Sequence, residues 1–209
     1  MRLIDELAVP IDSEFSISEF FNEMDLPIAE KEKRKDFAES MKDTMLFIFA
    51  LFDVMKQNNY TNKEFIVAQL QERYWNISMK YFDGDAKKVR EYINEFSNEI
   101  INATIAHINE EYFLSDDRAA IIAANEANTI LGYSEIQKKI KQGYTRKQWI
   151  TEKDRKVRKT HQAVDNIAIP IEDYFLVGNS LMMYPHDNIS FEVEPKEIVN
   201  CRCVVRYLR

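Results

Sequence analysis

The chain has 209 residues, 45% hydrophobic and 30% charged, a balance that excludes a disordered or fibrous protein and fits one large domain or two small ones. At this length a core can form without disulfides or metals, and only 4 Gly and 5 Pro disfavour long loops and β-rich architectures. The formal charge of −7 argues against non-specific wrapping of nucleic acid.

The first residues, MRLIDELAVPIDSEF, lack the basic region and apolar run of a secretory signal. After an irregular start broken by Pro10 and Pro27, the stretch from about Ala29 to Gln57 has no Gly or Pro. Phe37, Met41, Met45, Phe47, Ile48, Leu51, Phe52 and Met55 recur there at three- and four-residue steps, which predicts a helix ended by Asn58-Asn59. Its most apolar run, Met45 to Met55, contains Asp53 and falls far short of the roughly 20 residues that a spanning helix needs. It reads as a buried helix, with no membrane contact.

Thr61-Asn62-Lys63-Glu64 has the form of a capping box. It opens a helix bearing Phe65, Ile66, Leu70, Tyr74, Trp75, Ile77 and Met79 that stops near Asp83-Gly84. Asp85 is placed to cap the next, whose Val89, Tyr92, Ile93, Phe96, Ile100, Ile101, Ile105 and Ile108 keep helical spacing. Ser115, with Asp116 and Asp117 behind it, predicts another helix start. That helix passes through the alanine-rich 119–124 stretch toward Lys141, with Gly132 a point of interruption and Gly143 its end. The Met and aromatic stripes read as core, and no cofactor is expected.

Beyond Gly143 the pattern changes. Tyr174–Val177, Ser190–Val193 and Cys201–Val205 read as strands between turn-forming residues. The segment from Glu152 to about Gln162 fits either a short helix or an extended arm. Between Tyr144 and His161, seven bases (Arg146, Lys147, Lys153, Arg155, Lys156, Arg158, Lys159) stand against two acids (Glu152, Asp154), forming either a solvated face or a patch able to touch phosphates. The expected fold is α+β: an N-terminal bundle of long helices, then a small C-terminal domain with a short, mainly antiparallel sheet. The two parts, 1–115 and 116–209, share the long helix after Ser115. Cys201 and Cys203 lie one residue apart, where pairing is rare, so no disulfide framework is expected, in keeping with a reducing cytoplasm.

Four features of the C-terminal part occur in order. An alanine-rich helix carries Arg118, Glu126 and Asn128; Trp149 precedes Asp154, Arg155, Arg158 and His161; a Tyr184-Pro185-x-Asp187 turn follows; and Asn200-Cys201-Arg202-Cys203 lies near the end. Over about residues 116–209 this set resembles the phage Mu F-like family of head morphogenesis proteins, also called minor head or minor capsid proteins. Two departures stand out: Asp165-Asn166 where an Asp-Gly turn is common, and Asn125 where a threonine often precedes the glutamate.

The resemblance implies a structural motif of Arg118, Glu126, Trp149, Asp154, Asn200, Cys201, Arg202 and Cys203. It also implies a virion component that meets the portal protein and other head proteins during procapsid assembly, at the portal vertex or capsid interior, after synthesis in the host cytoplasm. The helical region 1–115 is then the partner-binding part. The 144–161 basic segment is a contact for packaged DNA.

The residues leave several chemical readings open. In a strand, Cys201 and Cys203 would share one side as small core groups, leaving Arg202 on the other to pair with Glu126 or Asp154. Cys201 and Cys203 could instead join His161 and His186 as a zinc set, or a cysteine could pair with a histidine as a nucleophile. Arg155, Arg158 and His161, at three-residue steps, would line one helical face and bind an anion, or serve an internal polar network. The expectation is a protein that is not an enzyme. The rival class is a small nucleic-acid-cleaving or ADP-ribosylating toxin-like enzyme, with His161 as general acid or base and Arg155 or Arg158 stabilising a phosphate. No Gly-rich phosphate loop, paired catalytic carboxylates or H-x-E zinc signature supports that rival, and the chain ends four residues after Val205, so no further toxin domain is expected.

Overall fold

A computed structural model describes residues 15–57, 62–82 and 86–209. The fold is α+β: long helices first, then a small antiparallel sheet region. A short helix, α1 (Ile17–Asn22), occupies part of the start expected to be irregular; the Ser16 hydroxyl accepts from the Glu19 N–H at 3.2 Å and caps it. The 30-residue α2 (Ile28–Gln57) follows, with Phe37, Met41, Met45, Ile48 and Phe52 fully buried. Phe47, Leu51 and Met55, on the flank of the same stripe, are only partly covered.

The expected capping box is shifted by one residue. Helix α3 (Lys63–Met79) starts after Asn62, whose side-chain oxygen accepts from the Phe65 N–H at 3.0 Å, while Thr61 lies outside the described residues. The expected helix boundaries at Asn58-Asn59 and at 83–85 also lie outside them. Helix α4 (Lys87–Ala106) buries Val89, Tyr92, Ile93, Phe96, Ile100 and Ile101. A 3₁₀ turn at Glu111–Leu114 then leads into α5 (Asp116–Lys141). Helix α2 packs on α5 and α3, and α3 packs in turn on α4. Each fully buried Phe, Met or Ile contributes about 1.5–3 kcal/mol through removal of apolar surface from water.

Helix α5 organises the molecule. Ser115 caps it, accepting from the Arg118 N–H at 3.2 Å, and acids in its first turn and lysines in its last oppose the helix dipole. At its end the Gly143 N–H donates to Ile140 O and the Tyr144 N–H to Lys139 O. With Gly143 at φ 76° this is a Schellman close, for which glycine is the least strained residue. Gly132 does not interrupt the helix; it opens room for another ring. A Cβ there would lie 2.5 Å from Tyr184 Cδ2. From Arg118 to Ser134 nearly every residue is buried, because the alanines let neighbours approach on all sides.

The sheet is built from β1 (Arg146–Ile150), β2 (Ala168–Pro170) and β5 (Val204–Leu208), in the order β2-β1-β5, all antiparallel. Trp149 pairs with Val205 and Ile150 with Val204. A hairpin of β3 (Phe175–Val177) and β4 (Ser180–Met182) stands beside it, turned by Gly178-Asn179 with Gly178 at φ 59°. Short helices α6 (Lys159–Gln162) and α7 (Pro195–Ile198) complete the set.

Several expectations are corrected here. Strand β1 falls in the basic segment, and of 152–162 only Lys159–Gln162 is helix, the residues before it being irregular around a turn at 155–156. Ser190–Val193 is not a strand. Cys201–Cys203 is not one either, because Asn200 at φ 56° and a Cys201 N–H bond to Ile198 O turn the chain before β5 begins.

One core cluster runs from Phe21 and α2 through α5 to Ile150, Tyr184 and Val204. A second, smaller one gathers Trp149, Phe175, Val177, Met182, Ile198 and both cysteines. Among the described residues no helix is long and apolar enough to cross a membrane.

Candidate functional site

The residues singled out by the sequence fall into three places. The first lies between α6 and the 197–203 segment. His161 is 1% exposed, Cys201 2% and Cys203 4%. The His161 Nδ1 atom sits 3.3 Å from Cys203 Sγ and 3.5 Å from Cys201 Sγ. Its other nitrogen, Nε2, is 3.1 Å from Glu197 Oε2, an oxygen that also accepts from the Thr160 hydroxyl at 2.7 Å. The His161 and Trp149 rings stand nearly perpendicular, 5.6 Å apart between centroids.

Arg158 closes one side, its guanidinium donating to Val199 O. On the other side Arg202 donates to both oxygens of Asp154 at 2.9 and 2.7 Å and to Glu23 at 2.9 Å. The Arg202 hydrogen bond holds the Asp154 carboxyl below its usual value. Burial pushes the Cys201 thiol up, but its hydrogen bond with Cys203 and the charges of Arg158 and Arg202 outweigh this and leave it lowered. The Cys203 thiol, hydrogen-bonded to Cys201 and buried, is raised.

The second place is the 184–188 turn on α5. The Tyr184 hydroxyl donates to Thr129 O, and the Thr129 hydroxyl donates to His186 O, both at 3.0 Å. Asp187, fully buried, accepts from the Met183, Ile189 and Ser190 N–H groups at 2.8–3.2 Å, and burial raises its pKa. His186 Nε2 lies 2.6 Å from Cys201 O. Burial drives the His186 pKa down to about 3, so the ring is neutral and Nε2–H donates to that carbonyl. It is therefore not brought to the sulfurs: of the four residues read as a zinc set, His161, Cys201 and Cys203 converge and His186 does not.

The third place lies in the helical layer. Glu126 accepts from the Tyr92 hydroxyl at 2.8 Å and from the Tyr74 hydroxyl, so it lies away from Arg202. Arg118 donates to Phe113 O at 2.7 Å and Thr104 Oγ1 at 2.9 Å, and lies over the Phe113 ring. It ties the 3₁₀ turn to α4 and α5.

Arg155, Arg158 and His161 do not share a helical face, because helical backbone begins only at Lys159. Arg155 is exposed, Arg158 is engaged with the 199 carbonyl, and His161 is enclosed. Lys147, counted in the basic run, is buried on the inner side of β1 with no hydrogen-bond partner among the described residues, and burial lowers its pKa to about 8. Exposed cations of the run include Lys153, Arg155, Lys156 and Lys159.

Sequence reasoning missed Glu197 and Arg34. Glu197 reads as an ordinary surface residue of a Pro-Lys-Glu helix start, and only the fold carries it to His161. Arg34 sits in a charged stretch of α2, yet it is buried and donates to Asn128 Oδ1 at 3.1 Å and Glu30 at 2.9 Å. No signal in a single sequence separates it from its exposed neighbours.

Residues 85–206, more than half of the chain, match the family model described as Phage Mu protein F like protein. The chain belongs to this family. The Mu F-like match takes in α4 as well as everything from α5 to β5 except its last two residues. No curated protein and no solved structure is significantly similar to the chain. The Mu F-like family is a structural family of phage head morphogenesis, and this chain is one of its phage-head proteins.

Proposed function

We propose that this Mu F-like protein is a minor capsid protein that joins the portal or the inner capsid surface during procapsid assembly. The observation that carries the reading is the family match across more than half of the chain. The division of labour falls near Ser115: the helical region 1–115 docks on the partner, and residues 116–209 carry the motif residues, with α4 of the helical region also belonging to the Mu F-like match. The helical side carries exposed apolar side chains suited to docking, Ile28 on α2 and Phe65 on α3, 79% and 45% exposed. Packaged DNA is met through the exposed lysines and Arg155 of the 153–159 turn, which lie outside the hydrogen-bond network of His161. The set Arg118, Glu126, Trp149, Asp154, Asn200, Cys201, Arg202 and Cys203 serves as the structural motif that holds the Mu F-like unit together.

The test is co-expression with the portal protein of the same phage, followed by size exclusion with light scattering. Co-elution at a fixed stoichiometry, lost when Ile28 and Phe65 are both changed to Asp, is the expected result. Separate elution of two folded proteins refutes portal docking.

A further inference from the structure

His161, Cys201 and Cys203 come from segments about 40 residues apart, yet their donor atoms all lie within 4.8 Å of one another. The geometry points to a transition-metal site, in which the His161 Nδ1 atom and the two thiolates hold one zinc-class cation.

The spacing fits tetrahedral coordination. With Zn–S near 2.3 Å and Zn–N near 2.0 Å, a tetrahedral angle separates nitrogen and sulfur donors by about 3.5 Å. The two nitrogen–sulfur distances found are 3.3 and 3.5 Å, close to that coordinated spacing.

The imidazole is oriented for that role. Its Nε2 faces the buried Glu197 carboxylate at 3.1 Å, and Thr160 holds the same carboxylate oxygen in place. A carboxylate accepting from Nε2–H fixes the tautomer and turns the Nδ1 lone pair toward the sulfurs. This is the outer partner that metal-bound histidines ordinarily have.

The sulfur side is set by the backbone. The left-handed Asn200 and the bond from Cys201 N–H to Ile198 O bend the chain so that both thiols point inward without a strand. The His186 ring donates to the Cys201 carbonyl and holds that bend.

One imidazole and two thiolates select soft or borderline cations such as zinc or cobalt over magnesium or calcium. Two thiolates neutralise a divalent ion, and each thiol releases its proton to solvent on binding. The three donors line one narrow cleft with Glu152, Lys156, Arg158 and Asn200. The fourth coordination position opens into that cleft, where water completes the tetrahedron.

The test uses the full-length chain, purified with reductant from zinc-supplemented cells. One zinc per chain by elemental mass spectrometry is expected. After stripping with a chelator, cobalt(II) titration should give a one-to-one end point, with thiolate-to-cobalt charge transfer and the intense visible bands of a tetrahedral centre. Changing both cysteines together to Ser removes the charge-transfer band. Glu197→Gln keeps the band and weakens affinity by about 10–100-fold, the usual effect of losing an outer partner. Should the double variant fail to fold, the wild-type titration decides alone. A reduced, folded wild-type chain that takes no zinc and gives no sulfur-to-cobalt band overturns the site and leaves a hydrogen-bonded thiol core. A chain whose mass is lower by two hydrogens, with Cys201 joined to Cys203 in one peptide, overturns it as well.

Discussion

Adding one methyl group at Gly132 sets helix propensity against packing. On an exposed helix, Gly→Ala stabilises by about 1 kcal/mol. In α5 the new Cβ would lie 2.5 and 2.6 Å from Tyr184 Cδ2 and Cε2, well inside van der Waals contact. The ring belongs to a fully buried side chain whose hydroxyl donates to Thr129 O, so it cannot swing aside freely. Overpacking of this kind costs about 1–3 kcal/mol, and a displaced Tyr184 hydroxyl costs about 1 kcal/mol more. The net expectation for Gly132→Ala is a loss of about 1–3 kcal/mol, after the propensity gain is subtracted.

Urea unfolding followed by circular dichroism measures this as a lower midpoint at unchanged slope. A second measurement isolates the cause: in a Tyr184→Leu background the clash is gone, and the same Gly132→Ala change should become neutral or stabilising. A wild-type background in which Gly132→Ala raises the midpoint would show that the Tyr184 turn does not press on α5, and the reasoning fails.

Lys147→Met should stabilise by about 3 kcal/mol near neutral pH, since it removes an ammonium that burial disfavours strongly enough to bring its pKa from 10.5 down to about 8, and each tenfold loss of proton affinity is worth about 1.4 kcal/mol. The folded state binds fewer protons than the unfolded state between pH 8 and the usual lysine value, so wild-type stability rises across that window. The advantage of the variant should shrink in step; an equal advantage at neutral and alkaline pH rules the argument out. Glu126→Ala leaves the Tyr74 and Tyr92 hydroxyls without that acceptor and should cost about 2–5 kcal/mol, whereas Glu126→Gln, which keeps an acceptor oxygen, should cost markedly less; equal losses in thermal melts contradict this. Arg202→Ala breaks contacts with two half-exposed acids, and should cost only about 0.2–1 kcal/mol, less in high salt. A salt-independent loss would mean that the side chain acts through packing.

The helices are legible because their signals are local. Phe37 to Phe52 repeat at helical steps, and Ser115 followed by two aspartates marks the start of α5 whatever the tertiary setting. Caps sit one residue from equally good ones, which is why the pattern points to Thr61 while Asn62 makes the cap. Strands are harder. Arg146–Ile150 reads as a basic stretch with one tryptophan, and it becomes a strand only because β5 and β2 arrive on either side of it. Ala168–Pro170 and Ser180–Met182 are three residues long, too short to show a period. Cys201–Cys203 shows strand-like alternation of buried and outward side chains, but Asn200 bends it. The meeting of His161 with the two cysteines depends on a chain reversal that no local pattern encodes, and Glu197 carries no mark of its role. Chemistry alone offers Arg202 either Asp154 or Glu126, and only the fold decides, because two tyrosines from other helices hold Glu126.

Helix α5 is walled by the α2–α4 layer on one side and by Tyr184, Ile150 and Val204 on the other. Its amides therefore have no private route to water. Fraying at Ser115 or Gly143 exposes a turn at most, and the stretch around Ala123 to Leu131 meets solvent only when both layers come apart together. Deuterium uptake there should follow the global unfolding free energy, with no subglobal opening in which one layer survives the other. A head protein built around such a shared strut is either whole or undone, and any step in the life of the particle that must slacken one half of it will slacken the other.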